Sequence, residues 1–242
     1  PSEIMALWSN IPQIEDVTDQ LPKAPNMTWD TYKKKKVVKG VDTGEWVTGP
    51  RKPEEIDTIV IHHTASDAPL KNQAKYHVDH QKWPGIGYHL AIDEGRIKQC
   101  NDLLSMTFHA SGNNTYTVSI VVNADLSKRE MTSQERELLY AAILTVKRLL
   151  PIKHIVGHNE LCPTACPCTS MNQIRKDIEY LEMRLVEMQS REYRLQKVNA
   201  IARRIVDLYK KAEDTSFEYS DVALAKLEDI GRFMEEKDYM NP

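Results

Sequence analysis

Long apolar runs are missing from this chain. Nowhere in its 242 residues do consecutive apolar side chains approach the ~18–20 needed to cross a bilayer, so no membrane insertion is expected. A large charge imbalance is missing too. The formal net charge of -3 gives no reason to expect nucleic acid as a partner. A local basic stretch, Lys33 to Lys36 followed by Lys39, Arg51 and Lys52, reads as a solvated face, with attraction to an anionic polymer as the functional alternative. The opening PSEIMALWSN has neither a positive n-region nor an apolar h-region, so no signal peptide is expected. Cysteine is scarce. Three of the four, Cys162, Cys166 and Cys168, crowd into LCPTACPC, which suits a metal site or reduced thiols better than a disulfide framework.

What is present is ordinary for a globular protein: 28% charged and 41% hydrophobic residues. The length allows one domain and a smaller module. Residues 1–52 read as an extended N-terminal arm, with one or two short strands around the Asp42-Thr43-Gly44 turn. From Ile56 the texture changes. IDTIVIHHTA is a β-branched apolar run, the pattern of a strand covered on both faces. A helix is expected over Leu70 to Gln81, then a hairpin, GYHLAID and RIKQC about Glu94-Gly95. TVSIVVNA is a second buried strand. A capping box from Thr132 to Glu135 opens an amphipathic helix that Pro151 ends, and KHIVGH is a short strand. This order predicts an α/β domain over 53–180, a mixed central sheet flanked by helices.

Beyond Met171 no strand signal remains. Ile174, Ile178, Leu181, Leu185 and Met188 recur at helical steps; so do Val198, Ile201, Ile205 and Leu208, and again Val222, Leu224, Leu227, Ile230 and Met234. Residues 181–242 are therefore expected to form a helical C-terminal module. Its apolar stripes serve as core or pairing seam, with homo-oligomerisation or wall binding as its functional readings.

Chemistry concentrates at strand ends. His62 and His63 stand where the first buried strand runs out, and His158 follows the last one. Cys166 lies on a Pro-containing loop shortly after. Two neutral imidazoles and a thiolate suit zinc, and three protein ligands leave a fourth tetrahedral position for water. Cys162 or Cys168 would instead close a structural site, and spacing alone leaves both readings open.

IVIHHTAS, HVDHQKWPGIGYHLAID, FHASGNN, VSIVVN and VGHNELCPTACPC, in that order from about Ile56 to Ile178, resemble the N-acetylmuramoyl-L-alanine amidases of the amidase-2 type. That family includes phage lysins and the peptidoglycan recognition proteins of animals. The resemblance implies Zn2+ as cofactor, with His62, His158 and Cys166 as ligands and His63 beside them. It implies catalytic roles for Tyr88 and for Thr164, which stands where many phage and bacterial members carry Lys. His63, His89, His109, Asn114 (or Asn113) and Asn123 make up the expected substrate-binding set. Some bacterial members carry a catalytic Glu at the position of Asn123. Asn cannot serve as a general base, so that role falls to Tyr88, to an unidentified group or to the metal-activated water.

The implied reaction is hydrolysis of the amide joining N-acetylmuramic acid to L-alanine in bacterial peptidoglycan, with lysis of the wall. The visible absence of a signal leans towards a phage endolysin, made in the host cytoplasm and acting at the cell wall. A muropeptide-recycling amidase, a non-catalytic peptidoglycan-binding module and a virion component carrying an amidase domain are the alternatives. Binding-only relatives typically lose the ligating Cys, which is present here.

Overall fold

Strands run at Glu15–Asp16 (β1), Lys34–Val38 (β2), Val41–Val47 (β3), Thr58–His63 (β4), Leu90–Asp93 (β5), Arg96–Gln99 (β6), Thr117–Val122 (β7) and His154–Gly157 (β8). Helices run at Leu70–Asp79 (α1), Ser133–Leu149 (α2) and Met171–Thr215 (α3). The computed structural model describes residues 14–215, with side chains up to residue 204. The opening PSEIMALWSN and the apolar series Val222 to Met234 lie outside the described residues, as do the side chains of Ile205 and Leu208. No described helix is long and apolar enough to cross a membrane.

Six strands form one sheet in the order β1-β6-β5-β7-β4-β8, and β2 and β3 pair separately. β5, β7, β4 and β8 are mutually parallel; β6 runs antiparallel to β5 and parallel to β1. The two central strands, β4 and β7, are buried at every position, which is why their sequences are apolar and β-branched rather than alternating. The sheet is thus the mixed one expected. Ala91 of β5 and Val121 of β7 pack with Leu70 and Ala74 of α1. α2 lies against β5, β6 and β7.

Local chemistry explains the boundaries. Glu94 and Gly95 both have positive φ (52° and 69°), the backbone of a tight two-residue hairpin turn. Thr132 Oγ1 accepts from Glu135 N–H at 3.0 Å while the Glu135 carboxylate accepts from Thr132 N–H at 2.8 Å, a closed capping box at the start of α2. Lys147 and Arg148 sit in its last turn, favourable to the helix dipole.

The arm corrects two expectations. The β2–β3 turn is Lys39-Gly40, with φ of 50° and 79°, not Asp42-Thr43-Gly44. That triplet falls inside β3, where the register shifts against Lys35 and Val37 and Asp42 Oδ1 accepts from Gly44 N–H at 2.8 Å. The basic stretch is not wholly a solvated face either: Lys34 and Arg51 are buried. Four lysines in a row hide the alternation of a strand, which turns Lys34 inward. Its ammonium lies 5.9 Å from the centroids of Trp29 and Tyr32 and donates to the carbonyls of both residues. Burial pulls its pKa down to about 8.

The chain divides between Glu179 and Tyr180 into two compact units. In the first unit Met171, Ile174 and Ile178 of α3 are buried, and Asp177 accepts from the Tyr140 hydroxyl of α2. In the second, one helix replaces the two successive segments expected up to Leu208. It buries Leu181, Leu185 and Val198 and exposes Tyr180, Met183, Val186, Tyr193 and Ile201.

Candidate metal centre

β4 and β8 lie side by side and parallel, with Ile61 opposite Gly157. His62 and His158 therefore emerge together at the carboxyl ends of neighbouring strands, their ring centroids 4.5 Å apart. Gly157 leaves room for the loop that brings the third residue. A Cβ there would stand 2.6 Å from Asn159 Oδ1, 2.8 Å from Met171 Cγ and 3.1 Å from Pro167 Cδ. Asn159 N–H donates to the Cys166 carbonyl at 2.7 Å, and Cys166 Sγ comes to 3.8 Å from His62 Nδ1.

One donor atom from each of His62, His158 and Cys166 lies within 4.8 Å of the others. A tetrahedral zinc with its usual bond lengths of about 2.0 Å to nitrogen and 2.3 Å to sulfur separates such donors by roughly 3.6 Å. The donor set fits the ion, and closure by about 1 Å brings its spacing to that value.

Burial dominates the electrostatics. It holds His62 well below the ordinary imidazole range, helped by His158, and lowers His158 as well. It pushes the Cys166 thiol up to about 11. Neutral imidazoles are ready ligands, and a bound cation would reverse the thiol's preference for its proton. Tyr88, its ring centroid 5.2 Å from that of His62, is raised by burial and then by Cys166. It stays a phenol, able to donate a hydrogen bond.

The remaining expected residues separate into two groups. Thr164 is exposed on the Cys166 loop, and its Oγ1 accepts from Cys166 N–H at 3.2 Å, leaving the hydroxyl proton free to donate elsewhere. His109 packs edge-on against His62 with Nδ1 3.0 Å from His62 Nε2. Asn114 Oδ1 accepts from the N–H groups of His109 and Ala110. Asn113 is buried. His63 turns away: its Nδ1 accepts from Leu126 N–H, while its backbone N–H donates to Cys166 Sγ at 3.4 Å. His89 is fully buried in the core; its Nδ1 accepts from Ser119 N–H and its Nε2 lies 2.8 Å from the Ser105 carbonyl. Asn123 is spent inside the protein, accepting from Thr64 Oγ1 and donating to Ala68 O and Asp93 Oδ1.

A cavity of about 470 Å³ opens beside His158, bounded also by His109, Asn114, Trp83, Phe108 and, from the arm, Lys35 and Val37. The hairpin tip reaches this wall through Gly40 N–H to Gly112 O at 2.9 Å and Thr115 Oγ1 to Val37 O at 2.7 Å. Gly112 is needed there, since a Cβ would meet Gly40 Cα at 3.2 Å and its φ is +77°.

The family profile described as amidase-2, N-acetylmuramoyl-L-alanine amidase, matches residues 52–169. Peptidoglycan-recognition protein SC1a of Drosophila melanogaster is 30% identical over 131 residues, covering 48% of this chain and 70% of that protein. The chain belongs to the amidase-2 family. Its fold agrees: N-acetylmuramoyl-L-alanine amidase LysC from Clostridium intestinale superposes with a TM-score of 0.52 at 22% identity, over 69% of this chain and 98% of that one. The bumblebee peptidoglycan recognition protein SA superposes with a TM-score of 0.51 at 18% identity, over 68% and 94%. Three residues that the sequence alone does not mark, one of them with an acidic partner, support this site. Arg51 donates to the carbonyls of Leu103, Ser105, Asn114 and Thr117, at 2.9, 3.1, 3.1 and 2.6 Å, fixing the loops that carry the cavity wall. Arg175 of α3 pairs with Glu160 at 2.7 Å, and Glu160 accepts from Gly157 N–H at 2.9 Å, which holds the turn bearing His158. Thr117 contacts His109. A surface-looking Arg, a helix Arg and a β-branched strand residue carry no local sign of such roles.

Proposed function

We propose that this chain is a zinc-dependent N-acetylmuramoyl-L-alanine amidase that cleaves bacterial peptidoglycan. The observation that carries the proposal is the convergence of His62, His158 and Cys166 beside a cavity on the same side of the sheet. His62, His158 and Cys166 would hold the ion with three protein ligands, a number that favours a catalytic over a structural site. When bound there, zinc supplies Lewis-acid polarisation of a carbonyl and activation of water at neutral pH. The chain's own residues do the rest. Tyr88, kept protonated by burial, donates a hydrogen bond to the attacking water or to the leaving amine. Thr164, its oxygen already accepting from Cys166 N–H, turns its proton towards the oxyanion that forms at the scissile carbonyl. Asn123, with its partners inside the protein, takes no part in proton transfer, and His63 and His89 support the site from behind. His109 and Asn114 lie on the groove wall.

The net reaction adds water across the amide, leaving the lactyl carboxylate on the sugar and a free amine on L-alanine. Likeness to an amidase described as an endolysin, LysCS of Clostridium intestinale, with a TM-score of 0.53, supports the fold of a wall-lytic enzyme. We assign residues 53–180 to the amidase domain, with the hairpin of the preceding arm as part of its groove. Residues 181–242 are assigned to a C-terminal module, helical as far as Thr215, that binds wall or pairs with a second copy. The cell wall is then its place of action, as for a phage endolysin.

Purified chain incubated with bacterial walls tests this. About one zinc per chain, loss of lysis with chelator and release of N-terminal alanine are expected. Wall binding without any new alanine amine would instead favour a recognition module. Turnover of soluble muropeptides but not of intact walls would favour a recycling enzyme.

A further inference from the structure

We infer that His109 and Thr117 are positioning residues that set the tautomer of His62 and so present its Nδ1 lone pair to the metal. The inference rests on the metal reading of His62, His158 and Cys166 given above. A chain of hydrogen bonds runs from His62 into the sheet. His62 Nε2 is 3.0 Å from His109 Nδ1; His109 Nε2 is 3.1 Å from Thr117 Oγ1; and the Thr117 hydroxyl donates to the Asn113 carbonyl at 2.6 Å.

The carbonyl at the far end gives this chain its direction. A carbonyl oxygen only accepts, so the single hydroxyl proton of Thr117 is committed to Asn113. Thr117 Oγ1 can then only accept from His109, which places a proton on His109 Nε2 and leaves Nδ1 with its lone pair. That lone pair accepts from His62, placing the proton of His62 on Nε2. His62 Nδ1 is left unprotonated, and Nδ1 is the atom that faces Cys166 Sγ. The opposite direction would aim the Asn113 carbonyl at a hydroxyl lone pair and put an N–H on His62 Nδ1, closing it to a metal.

Metal-bound histidines commonly donate their second N–H to a carboxylate or a carbonyl. Here a second imidazole and a threonine transmit the same instruction from a carbonyl two groups away. Thr117 is wholly buried in β7, and His109 follows Phe108 in the loop that Arg51 fixes. The relay is thus anchored to the sheet rather than to a loop tip.

Two measurements test the relay. In the metal-free protein, long-range nitrogen–proton spectra of the imidazoles are expected to show the Nε2–H tautomer at both His62 and His109. Thr117→Val, which keeps the shape and removes the acceptor, is expected to weaken zinc binding about 10–100-fold in chelator competition. It should also shift the visible spectrum of the cobalt-substituted protein, with Thr117→Ser restoring both. An Nδ1–H tautomer at either ring would overturn the relay, as would a folded Thr117→Val protein with the parent's zinc affinity and cobalt spectrum. If Thr117→Val does not fold, the tautomer spectra of the unaltered chain decide. An unaltered protein that takes up no zinc, yet shows the Nε2–H tautomers, supports the relay as a structural device and overturns the metal reading alone.

Discussion

His62 Nδ1 and Cys166 Sγ stand 3.8 Å apart although 104 residues separate them in the chain. Their meeting is made by two tertiary relationships: the parallel pairing of β4 with β8, and the packing of the Cys166 loop over Gly157. Replacing Cys166 by Ser should remove most bound zinc. The expected loss of affinity exceeds the ~10–100-fold typical of outer-shell changes. Metal analysis after dialysis checks it, and full zinc content in Cys166→Ser would refute the ligand assignment.

Tyr88→Phe should separate metal binding from chemistry. The ring packs against His62 while the hydroxyl contributes to no described hydrogen bond within the protein. Zinc content and thermal stability should stay near the parent's, and the rate of alanine release should fall by about 10²–10⁴. An unchanged rate would remove Tyr88 from the mechanism.

Acid should destabilise the fold through His77 and His89. Each uses a ring lone pair to accept a backbone N–H, from Gly87 at 2.9 Å and Ser119 at 3.0 Å. Burial lowers their pKa values to about 4 and about 3, against about 6.5 in an unfolded chain. These folded values lie below the unfolded one, so the unfolded state binds protons first as the pH drops. The contribution is fully present above about pH 6.5 and is lost progressively as pH falls from there through the folded values. Urea titrations across pH 7 to 4 should show this loss, up to roughly 3 kcal/mol for His77. His77→Asn, which keeps an acceptor without the titration, should flatten the profile.

Arg51→Met should cost about 3 kcal/mol or more in urea unfolding. The guanidinium serves carbonyls from residues 103 to 117, and its loss strands buried acceptors at about 1–3 kcal/mol each. Arg51→Lys should rescue little, because one ammonium cannot span the same fork. A surface-like change below 0.5 kcal/mol would contradict this role.

Much of the fold is legible in the sequence. The β4 and β7 runs, the Glu94-Gly95 turn and the Thr132 cap are local patterns, and local patterns carry local structure. The arm was harder. Lys34 and Arg51 look like surface cations because charge is normally solvated; only the rings of Trp29 and Tyr32 and a set of inward carbonyls reveal why these two are buried. His89 and Asn123 sit within the family-like motifs, yet one lies in the core and the other between strand ends, where neighbouring groups consume their hydrogen-bonding capacity.

The sequence by itself determined the alternation of strands and helices, the family, and the three residues able to offer soft and borderline donors to a metal. These follow from side-chain chemistry and short-range periodicity. Only the tertiary structure decided that Lys35 and Val37 wall the groove, and that Arg175 and Glu160 hold the turn of His158. It alone decided that Asn113 directs His62 through Thr117 and His109. Those relationships depend on where backbone carbonyls and distant loops meet in space, and a carbonyl is the same atom in every residue, leaving no mark in the sequence.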